Sequence, residues 1–257
     1  MRDFITCLEF LTRVRFSKRT DWRDEDFSRS VPYFPLVGLV IGSLLAALNY
    51  SLFYIETPLF LRVTLLLLAE IIITGGLMYD GFMDTADGVF SARSRERMLE
   101  IMKDSHVGSN AVLSIIILLL LKIAAYLELS GETLTWVLLT MSVATRTFMV
   151  VFIVNFPYAR KEGIGHMFTK YAKPFYTYIA FAVCAGIIAA CGLQYLAVAG
   201  ICFTVTLIIA QYLKTQLGGL TGDTYGALTE CGNVIYLLTA VFLLRSVSYT
   251  HLTLPTT

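Results

Sequence analysis

The stretch PLFLRVTLLLLAEIIITGGLMYDGFMDTADG, residues 58–88, changes character part-way along. Residues 58–79 are apolar and about as long as the roughly 20 residues that cross a bilayer. From Asp80 onward, acids appear at Asp80, Asp84 and Asp87. An apolar span of this kind must be helical, because lipid offers no partners for backbone N–H and C=O groups. Comparable stretches lie at 33–54, 111–129, 133–154, 175–193 and 195–213, with a shorter one at 234–245 that reads as a half-span or an interfacial helix. The expected fold is therefore all-α: a polytopic membrane bundle of six to seven helices.

Composition agrees. Of 257 residues, 56% are hydrophobic and 15% charged, with mean hydropathy +0.70. Soluble domains carry about 25% charge, so a soluble globular protein is disfavoured and a disordered chain is excluded. A net charge of +1 gives no reason to expect nucleic acid as a partner. The expected partner is the lipid bilayer.

The distribution of charge says more than its sum. Most of the 20 basic and 19 acidic residues fall in four segments, 1–30, 80–110, 155–174 and 214–233. With seven crossings these segments share one face, and the positive-inside rule makes that face cytoplasmic. Residues 4–16 place Phe4, Leu8, Leu11 and Val14 near one stripe, which suits an N-terminal amphipathic helix on the membrane surface or packed against the bundle. One domain is expected over 1–245. The segment 246–257, with Pro255, reads as a non-native or disordered tail. Asp3 and Glu9 break any cleavable leader pattern. The five cysteines form no CxxC pair and read as apolar filler.

Asp80, Asp84 and Asp87 stand at i, i+4 and i+7, one face of a helix. Clustered carboxylates repel unless a cation sits between them. Hard oxygen ligands suit Mg²⁺, which typically arrives with substrate phosphates. Arg93, Arg95, Arg97 and Lys103 follow closely, then Asp104 and His106. Acids beside bases are the equipment of phosphoryl transfer. Two further islands, 156–166 with Tyr158, Arg160 and Glu162, and 218–230 with Asp223 and Glu230, lie on the same face. Glu70, Lys122 and Arg146 are charges within apolar spans, for which a paired structural role and a functional one are equally open.

At DGFMDTADGVFSARSRERMLEIMKDSHVG (80–108), YARKEGIG (158–165) and GGLTGDTYGA (218–227) the chain resembles the cobalamin synthase family, the adenosylcobinamide-GDP ribazoletransferases. The segments FLTRVRFS and VPYFPLVGLVIG also match, and the resemblance covers about residues 4–244. It implies a transferase of the bacterial inner membrane, active on the cytoplasmic face, late in cobalamin assembly. Such an enzyme joins adenosylcobinamide-GDP to α-ribazole or its 5′-phosphate, releases GMP, and uses Mg²⁺. Carried over residue by residue, the resemblance implies metal ligation by Asp80, Asp84, Asp87 and Asp104. From the chemistry of phosphoryl transfer, rather than from the resemblance, catalytic roles are expected for Asp84, Asp87 and His106, and substrate contacts for Arg93, Arg95, Lys103, Tyr158, Arg160, Glu162 and Asp223. A homo-oligomer is among the expected partners. Two positions depart from the family: Met78 lies where His is common, and Asn233 where Glu is frequent.

Two other classes compete. A CDP-alcohol phosphotransferase also clusters aspartates at a membrane face, but here three residues separate Gly88 from Ala92 and the downstream GxxxDxxxD is missing. A secondary transporter would show pseudo-symmetric halves and mid-membrane charge, whereas these acids gather at one face.

Overall fold

In the computed structural model, residues 2–15, 23–129 and 131–250 are described, excluding the side chains of Asp24, Ile164 and 245–250. The architecture is helical, with no strand among these residues and one isolated bridge between Tyr158 and Leu220. The helices are α1 (Arg2–Leu11), α2 (Asp24–Ser30), α3 (Phe34–Tyr54), α4 (Leu59–Thr74), α5 (Leu77–Phe90), α6 (Arg95–Ile101), α7 (Ser109–Glu128), α8 (Gly131–Asn155), α9 (Ile164–Lys170), α10 (Phe175–Cys191), α11 (Leu193–Leu217) and α12 (Gly222–Thr250).

Among the described residues, five segments are long and apolar enough to cross a membrane, Glu25–Tyr54, Ser109–Glu128, Gly131–Asn155, Leu193–Leu217 and Gly222–Leu244, or six if the bent pair Leu59–Thr74 and Leu77–Phe90 counts as one span. The helix α10 is apolar but has only 17 residues. A multi-pass membrane bundle follows from these lengths.

The second expected span, 58–79, is corrected. The helix α4 ends at Thr74, and α5 sets off at 91° to it. Gly75 and Gly76 form the corner, with φ of +67° and +72°. Two successive left-handed residues cost a side chain dearly and glycine little. The corner thus turns the aspartate helix out of the α4 direction. The last span is also longer than expected. The helix α12 starts at Gly222, so Asp223 and Glu230 lie on a helix rather than in a loop, and it runs on to Thr250. Residues 251–257 of the expected tail lie outside the described residues.

The helix α8 is the axis of the bundle, with 89% of its apolar window buried. It packs on α3 through Gly38 and Gly42, spaced i, i+4 on one face. A Cβ on Gly42 would stand 2.8 Å from Leu139 Cα, and one on Gly38 would run into Ser142 O. Small residues let two membrane helices approach backbone to backbone. Gly42→Leu should therefore cost about 1–3 kcal/mol by overpacking and lower the thermal midpoint of the purified protein; an unshifted midpoint would contradict this contact. The helix α1 is the expected amphipathic helix, and it packs inward, burying Thr6, Cys7, Leu8 and Leu11. All five cysteines are free, three of them buried.

The charges within the apolar region pair with each other. Lys122 Nζ donates to both Glu70 oxygens at 2.8 Å, to Tyr79 Oη at 2.7 Å and to Glu230 Oε2 at 3.1 Å. Asn233 Nδ2 donates to Glu230 Oε1 at 3.3 Å, and its Oδ1 accepts from Thr145 Oγ1 at 3.0 Å. Arg146 donates to Thr145 Oγ1 at 3.1 Å. The network ties α4, α5, α7, α8 and α12 together directly beneath the aspartate face. Its four charged groups, two acids and two bases, balance, as burial demands.

Candidate active site

The helix α5 carries Asp80, Asp84 and Asp87 on one face, as their spacing predicts. Asp80 is exposed and the other two are half-buried. Partial burial pushes the Asp84 carboxyl up to about 7, aided by the charges of Asp80 and Asp223 and opposed by Arg160. The cluster is electrostatically frustrated as it stands, and a positive charge would relieve it.

Asp87 has separate work. Its two oxygens accept the backbone N–H groups of Gly108 at 2.6 Å and Ala111 at 2.8 Å. Those are orphan donors of the first turn of α7, and a carboxylate there also suits the helix dipole. Asp87 thus fastens α5 to the start of α7.

The second and third islands converge. Ala159 N–H donates to Leu220 O at 2.7 Å, and Leu220 N–H to Pro157 O at 2.8 Å. This pairing sets Arg160 beside Asp223, 2.8 Å between their charged atoms. Gly81 of α5 meets the Asp223 backbone so closely that a Cβ would stand 2.7 Å from its carbonyl oxygen. The result is a cavity of about 230 Å³ whose lining includes Asp80, Tyr158, Arg160, Asp223 and Tyr225. Burial raises the Tyr158 hydroxyl above its ordinary value, against hydrogen bonding from Gly222 and the pull of Arg160.

Asp80, Tyr158, Arg160 and Asp223 therefore share one cavity, with Asp84 one turn along. The other expected site residues stand apart from it. Arg93, Arg95, Lys103, Glu162, Asp104 and His106 are exposed. Arg95 lays its guanidinium against Gly218, at the end of α11. His106 Nδ1 lies 2.6 Å from Asp104 Oδ1, and these contacts hold the Asp104 carboxyl below the usual carboxylate range. Among the described residues, no group of three His, Cys, Asp or Glu side chains is arranged to hold a metal ion. The residues that could contribute to such a site are Asp80, Asp84 and Asp223, which share one electrostatic cluster.

Tyr225, Met78, Phe34, Phe168, Met149 and Ile153 also line the cavity. Sequence reading missed them as site residues, because an apolar residue on a membrane helix looks like any other. Two of them carried a signal: Tyr225, inside the glycine-rich 218–227 island, and Met78, where the resemblance leads one to expect His.

The family profile described as cobalamin-5-phosphate synthase matches residues 3–241. The chain belongs to the cobalamin-5-phosphate synthase family. An adenosylcobinamide-GDP ribazoletransferase of Desulfitobacterium hafniense is 38% identical over 250 residues, covering 95% of this chain and 98% of the relative. Proteins of the same description from Clostridium novyi (36% over 242 residues; 93% and 96% covered) and Desulforamulus reducens (40% over 225; 87% and 89%) are similarly close. No solved structure matches. Membership in this family favours the transferase reading over the CDP-alcohol phosphotransferase and the transporter. It also gives meaning to the two departures. Met78 lines the cavity, and Asn233 hydrogen-bonds Thr145 and Glu230 in the buried network.

Proposed function

We infer that this chain is an adenosylcobinamide-GDP ribazoletransferase of the bacterial inner membrane, with its active face cytoplasmic. The observation that carries the reading is the convergence of Asp80, Arg160 and Asp223 on one cavity beside Asp84, in a chain of this family. Supporting the orientation, the four charged segments lie on one side of the expected topology.

The reaction exchanges one phosphoanhydride for one phosphodiester bond. A ribose hydroxyl of α-ribazole or its 5′-phosphate attacks the phosphorus next to the corrinoid side chain. A P–O bond forms to that phosphorus, the bridging P–O bond breaks, and GMP leaves with the electron pair. The hydroxyl proton passes to a carboxylate of the cluster. Arg160, held by Asp223, presents its guanidinium to the phosphates.

Mg²⁺ fits this donor set. It is usually held by one or two carboxylates plus substrate phosphates rather than by a closed protein cage, so the lack of a three-ligand group is compatible with it. Asp80 and Asp84 would hold it, and it would supply charge neutralisation on the transferring phosphoryl group.

The test is GMP release from adenosylcobinamide-GDP by the purified protein, with and without α-ribazole and Mg²⁺. Release that needs neither acceptor nor cation would overturn the reading. A proton on Asp84 competes with the cation. Below pH about 7, each pH unit should therefore raise the Mg²⁺ concentration for half-maximal rate about tenfold. Titrations at pH 6 and pH 8 check this.

A further inference from the structure

The cavity has two kinds of wall. Its charged groups stand near solvent: Asp80 is exposed, and the Arg160 and Asp223 side chains are 14% and 25% accessible. Its other wall is deep and apolar, with Phe34, Phe168, Met149, Ile153 and Met78 between 0% and 4% accessible. In that wall Tyr225 is 4% accessible, and its hydroxyl has no hydrogen-bond partner. Its ring lies 6.5 Å from that of Tyr158. A buried hydroxyl without a partner is costly, which points to a ligand atom as its missing partner.

Size limits what enters. The cavity, at about 230 Å³, is below the about 300–1,000 Å³ of sites that enclose a whole drug-sized ligand. It takes one moiety, whose charged remainder stays at the mouth beside the aspartates. Chemistry then separates two bicyclic bases. Guanine carries a carbonyl, a ring N–H and an exocyclic amine, and the deep wall offers these only one hydroxyl. Each polar atom left unpaired there carries its full desolvation cost. A benzimidazole-type base is apolar apart from one free ring nitrogen, which matches one hydroxyl.

We propose that the cavity between α3, α5, α8 and α12 is the acceptor-base subsite, receiving the apolar bicyclic base of the nucleoside acceptor with Tyr225 Oη donating to its ring nitrogen. The proposal rests on the transferase reading and deepens it. The guanosine of the donor then lies outside this cavity, and acceptor selectivity is set by the apolar residues of α8.

The experiment uses the full-length protein in detergent, with wild type, Tyr225→Phe and Ile153→Phe. KM is measured separately for adenosylcobinamide-GDP and for α-ribazole, and α-ribazole binding is followed by equilibrium dialysis without the donor. Tyr225→Phe should raise the acceptor KM about five- to tenfold, the worth of one hydrogen bond. Ile153→Phe, which fills the cavity, should raise it further and shift preference toward imidazole riboside, whose base is smaller. The donor KM should stay within about twofold for both variants, because the proposal seats only the acceptor base on these two side chains. A raised donor KM with an unchanged acceptor KM would overturn the proposal and place guanine in the cavity. Failure of the transferase reading is distinguishable: wild type would then release no GMP. Dialysis decides the subsite even so. Nucleoside binding lost in Ile153→Phe supports it, and no binding by wild type sinks it.

Discussion

Asp84→Asn should lower kcat/KM for GMP release by about 10²–10³-fold, as removal of a group that stabilises developing charge does, without lowering the thermal midpoint. The side chain keeps its volume and loses a charge that its neighbours oppose: burial, Asp80 and Asp223 already push that carboxyl up to about 7. Relief of like-charge repulsion favours the folded protein, while the reaction loses a cation ligand. Asp87→Ala should do the opposite. It strips the acceptors from Gly108 and Ala111 N–H, costing about 1–2 kcal/mol of stability as loss of a helix cap does. Its effect on turnover should be the smaller of the two. Parallel melting curves and rates separate these outcomes. Equal catalytic loss in a stable Asp87→Ala protein would return Asp87 to the metal site.

Lys122→Met should be the most destabilising single change in the molecule. It removes the one ammonium that bridges Glu70 and Glu230, with Tyr79 as a third partner, where all these side chains are buried. Breaking a buried ion pair by deleting one partner costs about 3–5 kcal/mol, because the other charge is stranded. Arg146 still faces Glu230, so Glu70 is the carboxylate left stranded. The double variant Glu70→Leu, Lys122→Met removes one acid with one base, leaves Glu230 opposite Arg146, and should recover most of the loss. Yield of folded protein and thermal midpoint in detergent read both. If the single variant melts like wild type, the network does not hold the bundle.

The apolar stretches could be read as membrane helices because hydropathy is a local property, and the aspartate helix because its spacing is. The corner at Gly75–Gly76 was not legible as a 91° turn: glycine permits a left-handed residue without requiring one. Nor was the start of α12 at Gly222, where Gly, Thr and Asp imitate a loop that tertiary packing makes helical. For the site, acids and bases on the polar islands signalled their presence but not their company. Nothing local distinguishes Arg160, which reaches the cavity, from Arg93, which stays on the surface. The difference is the long-range pairing of residues 157–159 with Leu220. Glu70 and Lys122, 52 positions apart, needed the fold to be seen as a pair.

The corner that ends α4 after 16 residues leaves that helix about 24 Å long, and α10, with 17 residues, is scarcely longer. A bilayer's hydrocarbon layer is about 30 Å thick. A helix of that length meets a full bilayer only where the adjoining lipid thins or where neighbouring helices cover its ends. Acyl-chain length thereby becomes a determinant of how far the polar face stands from the bilayer midplane, and the surrounding lipid acts as part of the scaffold.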